Sequence, residues 1–331
     1  MSLSDDIKKE DEIAELRVAL KKAQQTAYKA KRANEIITEA VFSAARDAAI
    51  ASGPAKPFGV KREKDTRKGK AEVALIHATD WQNGKRSVSY GIGKCSDRIE
   101  QLTNKVVELT TIQRAHHPVR ECVVMFGGDM VEGITIFPGQ AWEIEAALFE
   151  QLFETVRIEE TMIRTLASFF DKVHVVCEYG NHGRLGRKGE MPANDNIDAI
   201  SYRIAQDRTK DLKNVTWQMS ADWYQIVTIG NYKALLVHGD ECKGTASVLR
   251  KANAWATGVI EEFQDVYMGH FHTPTTMTMA NAGRVFITGS PESHNEYARE
   301  VVAAVGRPSQ RLHFVDPVKG RVTAEYVVWL D

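Results

Sequence analysis

The sequence predicts an α/β fold preceded by a long N-terminal helix. Three observations carry that prediction. From Ala71 onward, short apolar runs rich in Val, Ile and Leu alternate with longer segments whose apolar residues recur every three or four positions. Several of the short runs end in Asp, Asn or His beside a glycine, and strand ends are where open α/β sheets build their sites. The first fifty residues, by contrast, hold helical spacing throughout and contain neither proline nor glycine.

Bulk composition sets wide limits. The 331 residues suffice for one large domain or two small ones. With 43% hydrophobic residues and a formal net charge of −1, the chain reads as a soluble globular protein. Its overall charge demands neither nucleic acid nor an acidic partner, although a local basic patch remains compatible with it. Cys95, Cys122, Cys177 and Cys242 are far apart and form no CxxC, so they read as reduced thiols of a cytoplasmic protein. The start, "MSLSDDIKKEDE", is charged and lacks the apolar stretch of a secretory signal. No apolar run approaches membrane-spanning length, so no membrane partner is expected.

In the N-terminal segment, Ile13, Leu16, Leu20, Ala23, Ala27, Ala30, Asn34, Ile37, Val41, Ala44 and Ala48 are spaced alternately by three and four. That is an a/d heptad with one polar a position, Asn34, of the kind that fixes register. Residues 1–50 are therefore expected to form a helix that pairs two copies as a homodimeric coiled coil. Its alanines make the seam thin, and the alternative is a helix that packs back on its own domain. Residues 51–70, "ASGPAKPFGVKREKDTRKGK", carry two prolines and seven Lys or Arg against two acids, the composition of a basic linker. Such a segment touches phosphates or serves simply as a solvated tether.

The main globular domain is expected over 71–331. "AEVALIHAT" reads as its first strand, followed by the helix "SDRIEQLTNKVVELTTIQRA" with Ser96 as N-cap. "ECVVMFGGD" is a buried strand running into a glycine turn. "AWEIEAALFEQLFETVRIEETMIRTLASFF" is helical, in one piece or two, and "DKVHVVCEYGNH" is a third strand. "ISYRIAQDRT" and "ASVLRKANAWATGVIEEF" read as helices, and "YQIVTIG", "YKALLVHG", "DVYMGH", "RVFITGS", "RLHFVDP" and "VTAEYVVWL" as strands. There is no internal repeat.

The polar residues at strand ends form a series. Asp80 and Gln82 follow the first strand, Asp129 the second, Asn181 and His182 the third, and His238 a later one. "YMGHFHTP" then supplies His270 and His272. If that stretch is extended, the two imidazoles share a face roughly 6–7 Å apart. This suits two metal ions about 3.5–4 Å apart better than one. Each residue alone reads as a turn or surface residue. Their joint occurrence is much harder to explain that way.

Asp80-Trp81-Gln82, Gly128-Asp129, Gly180-Asn181-His182, His238-Gly239 and Gly269-His270-Phe271-His272 stand in the order of the calcineurin-like metallophosphoesterase motifs. Residues 80–272 thus resemble that superfamily, and within it the nuclease-type branch related to double-strand-break repair exonucleases. There is also a general likeness to stand-alone bacteriophage phosphoesterases. The resemblance implies a two-sheet β-sandwich flanked by helices, with a dinuclear metal centre at the strand ends. It implies that Asp129 bridges both ions, that Asp80, Gln82 and His272 complete one site, and that Asn181, His238 and His270 complete the other. His182 would face the substrate and, with Asp129, carry catalysis. The implied cofactors are two divalent ions, with Mn²⁺ first and Mg²⁺, Fe or Zn²⁺ as alternatives.

Those residue types suit the chemistry. Two carboxylates neutralise two divalent ions only in part, which leaves a positive pocket for a phosphate anion. Paired ions acidify bound water into a nucleophile and steady the phosphoryl oxygens, and a histidine beside them can protonate the leaving group. Gln82 stands where the superfamily usually has histidine, and its amide oxygen favours Mn²⁺ or Mg²⁺. Gly183 stands where the superfamily often has Asp or Glu. Arg184, Arg187 and Lys188, in the glycine-flanked "GRLGRKG", suit a phosphate backbone. Glu132 reads equally as a brace for a ligand or a solvated turn residue, and His77 as packed inside its strand. The substrate expected first is a phosphodiester, with DNA as partner. The alternatives are a monoester of phosphoprotein or nucleotide, and a coiled-coil scaffold with a decayed metal site.

Overall fold

The structure, a computed structural model, describes residues 39–59, 69–292 and 306–331, with 21, 22, 26, 29, 32, 36, 65 and 67, and without 135, 187–189, 191, 193–194 and 261. Two compact units divide it, Met1–Ala48 and Ala49–Asp331. The described residues of the first unit are all helical, continuous in α1 over 39–48. Of the expected seam only Val41, Ala44 and Ala48 are described, so the pairing of two copies lies outside the described residues.

The second unit contains two mixed sheets flanked by helices. In chain order its strands are β1 (Glu72–Ala78), β2 (Val119–Phe126), β3 (Lys172–Cys177), β4 (Val215–Met219), β5 (Tyr224–Ile229), β6 (Tyr232–Val237), β7 (Asp265–Met268), β8 (Thr275–Thr278), β9 (Arg284–Ile287), β10 (Ser309–Asp316) and β11 (Arg321–Trp329). The helices are α2 (Ile92–Gln113), α3 (Leu148–Phe169), α4 (Ile197–Arg208) and α5 (Val248–Ala254). One sheet has the order β11-β10-β1-β2-β3-β4, and the other β5-β6-β7-β9-β8.

Alternation along each strand builds three apolar layers. Ala74, Ile76, Val124 and Phe126 pack against Ile99, Leu102 and Val106 of α2 and Ile158, Met162 and Leu166 of α3. The intervening Val73, Leu75, Val123 and Met125 face the second sheet, where Ala234, Leu236, Tyr267 and Phe286 meet them. The outer side of that sheet, Leu235, Val237, Val266 and Met268, packs on Val248 and Ala252 of α5. Central strands covered on both faces are apolar almost throughout, which is why they were readable as continuous runs. The four cysteines are buried and form no disulfide. His77 is buried inside β1 with Nδ1 2.6 Å from Thr288 Oγ1, and burial pushes it down to about 3.

Several expectations are corrected. Helix α2 begins a turn before Ser96, with Gly91 at its N-cap. Glu145 Oε2 accepts from Ile92 N at 3.0 Å, so a distant carboxylate caps the earlier start. The helical stretch from Ala141, expected in one piece or two, is two, a short turn at Gln140–Trp142 and then α3. Helix α5 ends early, in a single wide turn over Trp255–Val259. Strands β4 and β8 were not foreseen. Residues 53–59, expected as linker, are held to α3, where Ala55 N donates to Glu160 Oε1 at 3.1 Å and Phe58 N to Thr165 Oγ1 at 2.9 Å. Among the described residues, no helix is long and apolar enough to cross a membrane.

Candidate metal centre

Strand register brings the first half of the site together. Ala78 pairs with Phe126, and Phe126 with Cys177, so β1, β2 and β3 end level. The chains then continue in step, with Asp80 N donating to Gly128 O and Gln82 N to Asp129 O, both at 2.9 Å. On the second sheet, β6 and β7 deliver His238 and the His270–His272 loop to the same end, where Gly269 N donates to His238 O.

The backbone at these residues is unusual. Among the described residues, six that are not glycine have positive φ, and five are Asp80 (53°), Gln82 (44°), Asp129 (54°), His270 (66°) and His272 (56°). Left-handed backbone is costly for side chains with a Cβ and persists where the surroundings hold it, often at functional sites. This corrects the expectation for "GHFH": strand β7 stops at Met268, and both histidines lie in a strained loop rather than an extended strand. Asp80 holds that loop, since His270 N donates to Asp80 Oδ1 at 2.9 Å. The motif glycines make room for the carboxylates. A Cβ at Gly180 would stand 2.0 Å from Asp129 Oδ1, and one at Gly269 would stand 2.1 Å from Asp80 Oδ2.

Asp129, His238 and His270 form one cluster, with ligand atoms all within 4.8 Å of one another. His238 Nδ1 lies 2.8 Å from Gly127 O, so it donates there and leaves Nε2 as the lone-pair nitrogen. That Nε2 is 3.0 Å from Asp129 Oδ2, within ion-pair reach but without hydrogen-bond alignment. Two acceptors this close need a cation between them. Burial disfavours the charged forms, but the pair outweighs it: His238 is held well above its ordinary value and Asp129 well below the carboxylate range. Burial, then the neighbouring His238, lowers His270 to about 4.

A second group gathers around His272. Its Nε2 lies 3.4 Å from Asp80 Oδ1 and 3.2 Å from Gln82 Nε2, and its Nδ1 lies 3.5 Å from Glu292 Oε2. Burial opposes a charge on His272, yet Asp80 and Glu292 raise it to about 10. A half-turn of the Gln82 amide exchanges nitrogen for oxygen and directs that oxygen at the same point.

The donor set fits divalent ions. Gln82 Oε1, Asn181 Oδ1 and His238 Nε2 are buried without a hydrogen-bond partner in the protein. Orphaned buried acceptors are rare and call for an explanation. Of fifteen buried side-chain N and O atoms without a partner among the described residues, these three belong to side chains that the motifs single out, and a cation satisfies such atoms.

His182 sits beside this cluster. Its backbone N donates to Asp129 Oδ1 at 2.7 Å, and its Nδ1 is 2.8 Å from Glu132 O. Burial works against its charge, but Asp129 and Glu132 raise it to about 9. Glu132 is thus buried and braces His182. A Cβ at Gly183 would fall 2.1 Å from Asn196 Oδ1, so no acidic side chain fits there. Arg184 is ion-paired with Asp240, while Arg187 and Lys188 lie outside the described residues.

Sequence reasoning missed three supporting residues. Asp198 accepts from the backbone N of Asp129 at 2.8 Å and of Gly180 at 3.0 Å, tying two ligand turns together. Asn196 caps α4 and donates to Gly180 O. Glu292 lies between His272 and Lys85, whose Nζ is 2.9 Å away. The cap pattern Asn196-x-Asp198 was a readable signal, whereas Glu292 had none.

No family model matches the chain. Among curated proteins it is 22% identical over 234 residues to the SPbeta prophage-derived uncharacterized protein YonJ of Bacillus subtilis strain 168, covering 68% of this chain and 55% of that one. The chain therefore spans about half the length of that relative. Solved structures that it matches include Vps29 of Entamoeba histolytica complexed with zinc, at 14% identity, 78% of this chain, 99% of that chain and a TM-score of 0.35. A phosphatase from Mycoplasma pneumoniae matches at 9% identity, 78% and 93% coverage and a TM-score of 0.34. A 5′-nucleotidase from Candida albicans matches at 9% identity, 82% and 54% coverage and a TM-score of 0.33. Similarities this distant do not assign an activity, and the functional reading rests on the site itself.

Proposed function

We propose that this chain is a metal-dependent phosphoesterase that hydrolyses phosphodiesters, with DNA as the substrate class. The observation that carries the reading is that three orphaned side-chain atoms, of Gln82, Asn181 and His238, and five left-handed residues, Asp80, Gln82, Asp129, His270 and His272, meet at one end of both sheets. Asp80, Gln82 and His272 would hold one ion, Asn181, His238 and His270 the other, and Asp129 both. Two divalent ions bound there would acidify water and offset charge on the phosphoryl oxygens. Mn²⁺ suits the mixed oxygen and imidazole set.

The chain's own groups do the rest. Glu132 O holds His182 Nδ1, which leaves Nε2 to carry the proton for the leaving oxygen. Asp198 keeps the Asp129 and Asn181 turns in register. The preference for diesters follows the likeness of the motif set to the nuclease branch. A panel with Mn²⁺ tests it, comparing a monoester, a diester, single-stranded DNA and duplex DNA. Turnover confined to the monoester would replace the diester reading with that of a phosphatase. The heptad in residues 1–50 supports pairing of two copies, and their deletion should lower the mass seen by light scattering.

A further inference from the structure

Phe137 lies against the side chain that serves the leaving group. Its ring centroid is 6.4 Å from that of His182, with the planes at 68°. Both rings reach solvent, since Phe137 is 37% exposed and the His182 side chain 14%. Described residues on both sides of Phe137 are tied to the fold. Gln140, fully buried, accepts from Ile136 N at 2.8 Å and donates to Glu132 O at 2.7 Å. Gly133 packs so closely on the His182 turn that a Cβ there would stand 2.2 Å from His182 O. On the same segment Ile134 is 36% exposed and Trp142 82%. Folding alone favours burying such side chains, and an exposed ring beside a candidate site suits contact with a ligand.

Resting on the reading of this site as a phosphodiesterase, we propose that Phe137 is the platform on which the base of the leaving nucleoside stacks. His182 Nδ1 is engaged by Glu132 O, so only Nε2 can serve the departing oxygen. A nucleoside attached to that oxygen extends past the His182 ring, and the next surface it meets is the exposed ring of Phe137. Every base has a π-face, so the contact selects for a base without selecting its identity. A leaving group without a ring leaves Phe137 uncovered. Phe137 therefore sets specificity and takes no part in proton transfer.

The test uses the full chain with Mn²⁺ and a thymidine dinucleotide, beside the two mutually isomeric analogues of it that lack one or the other base. Bis(p-nitrophenyl) phosphate and p-nitrophenyl phosphate serve as controls. Removing the base on the leaving side should lower kcat/KM by roughly tenfold, and removing the other base should change it little. Phe137→Ala should lower turnover of the intact dinucleotide by a similar factor and leave the leaving-side abasic isomer unchanged, while Phe137→Trp should keep the preference. Equal wild-type rates on all three, a preference for the base on the retained side, or a parallel loss on every substrate in Phe137→Ala would overturn the platform. Hydrolysis of bis(p-nitrophenyl) phosphate in that same experiment would leave the phosphodiesterase reading standing. Failure to cleave any diester would overturn both.

Discussion

His238 Nε2 lies 3.0 Å from Asp129 Oδ2 while Gly127 O holds its Nδ1 at 2.8 Å. A proton or a metal ion can stand between these two acceptors, and the two compete. The same holds at His272, raised from 6.5 to about 10 beside Asp80 and Glu292.

That competition predicts a pH signature. A group raised in the folded state stabilises the fold fully below its ordinary value and loses that contribution as pH rises through the raised one. Metal-free protein should therefore lose stability between pH 6.5 and about 10, the window set by His272. A bound ion takes the proton's place and should remove that loss. Thermal melts in chelator and in Mn²⁺ compare the two, and parallel pH dependences would contradict the competition. Calorimetry in buffers of different ionisation enthalpy should show release of about one proton per ion.

His182→Ala should slow hydrolysis by roughly 10²–10⁴-fold, the usual worth of a general acid, and leave metal content unchanged. Metal analysis and turnover on the same sample check both halves. Loss of metal would make His182 a ligand instead.

The His272 site should respond separately from its neighbour. Gln82→His should tighten it and move its preference toward softer ions, and Gln82→Ala should loosen it. Glu292→Gln, which weakens the hold on His272 Nδ1, should reduce affinity at that site by roughly 10–100-fold. The site of Asp129, His238 and His270 should keep its affinity in all three variants. Identical pairs of affinities in wild type and variants would show that neither Gln82 nor Glu292 acts there.

The central strands were legible because burial on both faces leaves β1, β2 and β3 as apolar runs. The polar residues at their ends were legible for the same reason, as abrupt changes of character. The conformation of those ends was not. His270 and His272 looked extended by spacing, yet a hydrogen bond from His270 N to Asp80, 190 positions away in sequence, helps fix a left-handed turn. Ser96 looked like a helix start for want of Glu145, which arrives from another segment. Glu292 carries no local motif, and the Asn196-x-Asp198 cap marks a helix start without showing that the fold brings Asp198 to the turns of Asp129 and Gly180. Strands β4 and β8, of five and four residues, were too short and too mixed to stand out.

The most direct test of the account is metal titration of chelator-treated protein, with bound ions and hydrolysis of bis(p-nitrophenyl) phosphate read from the same samples. The wild type should take up about two ions per chain, with turnover rising as the second is filled. Asp129→Asn should lose both tight binding and turnover, because a neutral amide bridges two cations poorly. Hydrolysis in excess chelator, or wild-type binding and activity in Asp129→Asn, would contradict the account.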